Sequence, residues 1–103
     1  MAICLIVENP EQSSEQVTQV MAHVRSTGPM PPEGARLMLA GPADPGWRVI
    51  SVWDSKEPLD RFFAERLSPA YEEAGLSFDG ITRTLFEVHA LVVGDLIGAL
   101  QPA

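Results

Sequence analysis

The sequence predicts an α+β domain in which four antiparallel strands carry two helices on one face, in the order β-α-β-β-α-β. Three observations carry this. Short β-prone runs are interrupted by two stretches of helical periodicity, the two middle runs follow one another with no helix between them, and turn residues bound the elements. At 103 residues the chain has the size of one domain, and residues 1–103 are expected to form a single unit.

"AICLIVE" (2–8) is a continuous apolar run ended by Asn9-Pro10, the pattern of a buried strand. Ser13, with Gln16 three residues later, has the form of a capping box. Val17, Val20, Met21 and Val24 then supply a helical stripe that Gly28-Pro29 stops, giving a first helix over roughly 14–27. "PMPPEG" is a stiff loop, and "ARLMLAG" (35–41) and "WRVISVW" (47–53) form an antiparallel hairpin around "PADP". With Ser55 as N-cap, Pro58 falls in the first turn of a second helix that runs to Leu67. Ser68-Pro69 has the form of a fresh N-cap and first residue, starting a short helix that Gly75 closes. "ITRTLFEVHALVV" (81–93) is a long final strand. The order is the split βαβ, or ferredoxin-like, arrangement.

In the last strand neither parity is freely polar, so the sheet face without helices is expected to pack on a second sheet. The cheapest source is another copy of the chain, which predicts a homodimer. Taking Thr84, Phe86 and Val88 as the helix-covered set puts Leu85 on the open face and points His89 away from the helices.

Hydrophobic residues make up 46% and charged residues 20%, an ordinary globular composition. The net charge of −7, with Lys56 as sole lysine, argues against nucleic acid or an anionic membrane as partner. Cys4 stands alone, so it forms no intrachain disulfide and no zinc-type spacing, and is expected to pack as a small hydrophobe. The N-terminus has no basic n-region, and "VHALVVGDLIGAL" is broken by His89, Gly94 and Asp95, so a cytoplasmic location is expected. Metal-ligand spacing, a phosphate loop, a nucleophile elbow and a dinucleotide fingerprint are all missing from the sequence, so neither a metal nor a cofactor is expected.

"GWRVISVWDSKEPLDRFFAERL", crossing from the third strand into the second helix, resembles the dimeric α+β barrel superfamily, and within it the antibiotic biosynthesis monooxygenase (ABM)-like small proteins. The resemblance covers residues 1 to about 93 and rests on W-D-S-x-E and F-F-A-E-R-L. It implies a small apolar or aromatic ligand and a cofactor-independent monooxygenase acting on a phenolic or enolic, polyketide- or quinol-like substrate. The alternative is a non-catalytic metabolite-binding or auxiliary dimer. The haem-degrading branch uses an Asn on the first strand with Trp and His on the second helix. Here Asn9 falls just past the first strand and the helix carries Phe62 and Phe63. For the oxygenase branch the implied pocket lies between helices and sheet, with Trp53, Phe62, Tyr71 and Phe86 as its substrate-binding residues.

Two residues stand out as candidates for the chemistry. Arg66 falls about 35° from the middle of the Leu59, Phe62, Phe63, Leu67 stripe, so a permanent charge points toward the core. It either pairs with a carboxylate such as Glu87 or Glu73, or stabilises a ligand anion in an apolar pocket. His89 shares a strand face with Glu87, and a carboxylate-supported imidazole is either a general base or a hydrogen-bonding group at the strand end. His23, at the edge of the first helix's stripe, is expected on the surface.

Overall fold

A computed structural model describes residues 1–95. Strands β1 (Ile3–Asn9), β2 (Ala35–Pro42), β3 (Trp47–Trp53) and β4 (Thr82–Glu87) form one antiparallel sheet in the order β2-β3-β1-β4. Helix α1 (Ser14–Ser26) joins β1 to β2, and a second helical body joins β3 to β4, so the chain has the ferredoxin-like fold. Ser13 and Gln16 close the expected capping box, each side chain accepting the other's backbone N–H at 3.2 and 2.9 Å. Among the described residues, no helix is long and apolar enough to cross a membrane.

The second helical body corrects the sequence pattern. It runs as α2 (Lys56–Phe62), a π turn (Phe63–Leu67) and α3 (Ser68–Glu73), with Phe62, Phe63, Leu67 and Ser68 all in the helical region. Ser68 therefore caps no new helix: its N–H reaches back five residues to the Phe63 carbonyl. Pro69 supplies the reason. In an unbroken α-helix its ring would strike the Glu65 carbonyl and its missing N–H would orphan it, whereas a widened turn just before it gives room. Ser55 occupies the N-cap position of α2, but its side chain makes no capping bond.

The core lies between the helices and the face of the sheet that carries Leu5, Ala35 and Trp53, closed from above by Val20, Val24, Leu59 and Phe62. Cross-strand partners share a face, so pairing of Leu5 with Leu85 and Cys4 with Phe86 fixes the parity of β4. This reverses the expected assignment. Leu85 belongs to the helix-bearing face, where it stays half-exposed at the sheet edge, and Phe86 belongs to the open face. The strand is also shorter than expected. After Glu87 one further rung, Val88 N–H to the Ala2 carbonyl at 2.9 Å, ends the ladder, so His89 lies beyond the strand.

A bulge at Arg36 lets its guanidinium grip the Asp54 carboxylate at 2.6 and 3.2 Å, tying β2 to the turn before α2. That contact holds the Asp54 carboxyl below the usual carboxylate range. Cys4 is buried on the open face, and burial pushes its thiol up. Labelling of native protein with a thiol reagent should accordingly be slow, and should become fast only in denaturant. Rapid native labelling would show that β1 is not held in the sheet.

Candidate functional site

Where β1 ends, the chain turns at Asn9-Pro10 and enters α1, and the loop after α3 comes alongside. Asn9 is the last residue of β1 and is only 8% exposed. Its Nδ2 donates to Gln12 Oε1 at 3.2 Å, and Gln12 Nε2 donates to the Tyr71 hydroxyl at 3.3 Å. These three side chains line a cleft of about 210 Å³. Among the described residues nothing donates to Asn9 Oδ1, and the Tyr71 O–H donates to nothing. The cleft thus offers one acceptor and one donor, each anchored through Gln12. The Tyr71 ring is fixed by stacking on Phe78 at 4.2 Å, which packs on Phe63 at 4.9 Å beneath the Arg83 guanidinium.

Glu11 and Asp79 also line the cleft, and both are exposed. A Cβ built on Gly80 would come within 3.9 Å of Glu11 Oε2, which sets that carboxylate against the loop after α3. No cationic side chain is among the lining residues.

The residues singled out from sequence divide among five places. Trp53 is 1% exposed, donates from Nε1 to Ser51 Oγ at 2.9 Å, and packs 5.4 Å from Phe62. These two rings, with Leu59, fill the volume between α2 and the sheet where the implied pocket was expected. Arg66 lies over Phe62 at 5.4 Å and caps the C-terminus of α1. Its Nη2 donates to the Val24 carbonyl at 2.7 Å, Nη1 to the Pro29 carbonyl at 2.8 Å, and Nε to Thr27 Oγ1 at 3.3 Å. Its partners are two carbonyls and a hydroxyl around the negative end of the α1 dipole, not the carboxylates of Glu87 or Glu73. Glu73 is taken by His23, 2.8 Å away, which clips α1 to α3 instead of standing free on the surface.

His89 sits past β4 with Nε2 3.8 Å from Glu87 Oε2 and its side chain 78% exposed. Phe86 lies on the open face. Tyr71 is the member of the predicted set that reaches the cleft. Asn9 and Gln12 had not been singled out for it. The signal for Asn9 was a polar residue closing an apolar strand, and Gln12 gave none. A second, larger cavity of about 470 Å³ lies at the hairpin end of the sheet, lined by Leu39, Trp47, Ile50 and the Glu8–Arg48 ion pair.

At the level of sequence, no family model and no curated protein matches the chain. Solved structures do. SnoaB, a cofactor-independent oxygenase from Streptomyces nogalater, superposes with a TM-score of 0.57 at 14% identity over 88% of this chain and 96% of its own. A candidate antibiotic biosynthesis monooxygenase of Deinococcus radiodurans gives 0.57 at 18% identity over 90% and 97%. The chain has the ABM-like fold. A Mycobacterium tuberculosis protein matches it at a TM-score of 0.60 and 16% identity, over 92% of this chain and 99% of that one. At such identities the ABM-like fold transfers and the residues of a site do not, so the cleft has to be judged on its own geometry.

Proposed function

We propose that the chain binds a small phenolic or enolic molecule in the Asn9–Gln12–Tyr71 cleft and oxygenates it without a bound cofactor, as a homodimer. The observation that carries this is the remaining hydrogen-bonding capacity of two residues that line the cleft, the acceptor Asn9 Oδ1 and the donor O–H of Tyr71. A phenol or enol hydroxyl both donates and accepts, and so satisfies both groups at once. The fold shared with a cofactor-independent oxygenase supports this choice of reaction class.

In this scheme a cleft carboxylate, Glu11 or Asp79, takes a proton from the activated C–H of the substrate's enol tautomer pair. The resulting carbanion, delocalised onto the oxygen that Tyr71 hydrogen-bonds, passes electrons to O2. A peroxide forms at carbon, and loss of water leaves a carbonyl, so CH2 plus O2 becomes C=O plus H2O. The substrate supplies every electron. His89 and Arg66, the base and cation expected from sequence, stand outside this cleft.

The homodimer part rests on the open face. Ile6, Leu37, Leu39, Ile50, Val52 and Phe86 share it, and Leu39 and Phe86 are each 49% exposed.

The test is O2 uptake with a hydroquinone and an anthrone-like phenol, each with an anaerobic control. Wild type should exceed the uncatalysed rate, and Tyr71→Phe and Asn9→Ala should each cut the excess at least about tenfold while remaining folded. Saturable binding lost in both variants, with no O2 uptake, would instead establish a non-catalytic metabolite-binding protein. Turnover indifferent to both substitutions would remove the cleft from the mechanism.

A further inference from the structure

The cleft is electrostatically one-sided, and this bears on which ligands it accepts. Asn9 is more than nine-tenths buried and lines the cleft, and its Oδ1 keeps its acceptor capacity. Glu11 and Asp79 add two carboxylates, and neither forms an ion pair among the described residues. No arginine is among the lining residues. Arg66 is spent on α1 carbonyls, Arg83 lies over Phe63, and Arg48 pairs with Glu8 at 3.3 Å. The facing helix α1 contributes Gln12's neighbour Gln16, which is uncharged.

Resting on the reading of the cleft as the ligand site, we propose that it selects neutral or ammonium-bearing hydroxylated rings and rejects their carboxylated counterparts. A carboxylate entering here meets two full like charges, against which the N-terminus of α1 offers only a partial positive charge and the lining offers no cationic side chain, and like-charge juxtaposition is a discriminating element in its own right. An ammonium group beside the ring finds acceptors at the mouth while the hydroxyl takes the Asn9–Tyr71 pair. The anion that forms during oxygenation is therefore made inside the cleft from a neutral substrate; it is not recruited from solution. The cleft volume of about 210 Å³ favours a compact ring system.

Three matched probes test this by titration calorimetry at low ionic strength: tyramine, 4-ethylphenol and 4-hydroxyphenylacetate. Tyramine should bind at least as tightly as 4-ethylphenol, and 4-hydroxyphenylacetate about tenfold more weakly than 4-ethylphenol. Added salt should weaken tyramine and strengthen the carboxylate, because exposed charges separated by about a Debye length are screened. The double variant Glu11→Gln/Asp79→Asn should bring the three affinities together. Equal or preferred binding of 4-hydroxyphenylacetate overturns this inference and leaves the cleft reading standing. A spread that survives the double variant overturns it as well. Failure of all three probes to bind, together with no effect of Asn9→Ala on any ligand, overturns the cleft as a site and this inference with it.

Discussion

Arg66→Met should lower the free energy of unfolding by about 3 kcal/mol, read as a lower urea midpoint with an unchanged slope. The guanidinium makes three hydrogen bonds of 3.3 Å or less to Val24, Thr27 and Pro29, and charged donors contribute about 1.5–3 kcal/mol each before discount. Part of that is recovered because water can reach the Pro29 carbonyl and the Thr27 hydroxyl, while the Val24 carbonyl is partly buried and stands to lose most. The contact is also tightly fitted. A Cβ at Gly28 would lie 3.1 Å from the guanidinium carbon, so the loop after α1 is built around this side chain. Arg66→Lys should rescue little, since a single ammonium cannot span three acceptors that the planar fork reaches together. Were Arg66 an unpaired cation awaiting a ligand, Arg66→Met would melt at or above wild type. That result would dismiss the capping role.

The second large effect concerns the proposed assembly. Phe86→Asp should convert the proposed dimer to monomer at micromolar protein, as measured by light scattering, because it puts a charge on the apolar open face. Leu85→Asp is the matched control. Its neighbour in the chain, equally exposed at 45% against 49%, points to the opposite face of the sheet. It should leave the mass unchanged and lower stability modestly. Dissociation by Leu85→Asp but not Phe86→Asp would mean that the copies meet through the helix-bearing side. A wild-type mass of one chain would remove the dimer altogether.

The contrast between those two positions shows where sequence patterns reach and where they stop. β3 was legible to the residue, and α1 nearly so, because each is bounded by a local signal: glycine and proline before Trp47, and the Ser13–Gln16 box. The order of elements, and with it the fold, followed from those signals. Parity in β4 was not legible, since both faces of that strand are mixed and its pairing with β1 is a long-range choice. The turn around Pro69 was misjudged because Ser-Pro has the same form at a true helix start and in a helix that widens to continue. The partners of Arg66 were invisible for another reason: its two shortest hydrogen bonds go to main-chain carbonyls, which every residue type carries. The cleft depends on Gln12 meeting Tyr71 across 59 positions, a meeting that only the packed sheet and helices create.

The placement of the two tryptophans gives the molecule a pair of independent optical reporters. Trp53 is sealed in the core with its indole N–H bonded to Ser51, so its emission should stay blue and fixed until the domain unfolds. Trp47 is partly exposed and lines the cavity at the hairpin end of the sheet, so its spectrum should respond to whatever covers or fills that end. With Trp47→Phe and Trp53→Phe each leaving a single indole, dilution and denaturant would give separate fluorescence transitions. Association into the proposed dimer and folding, which in many small dimers merge into one curve, could then be followed separately.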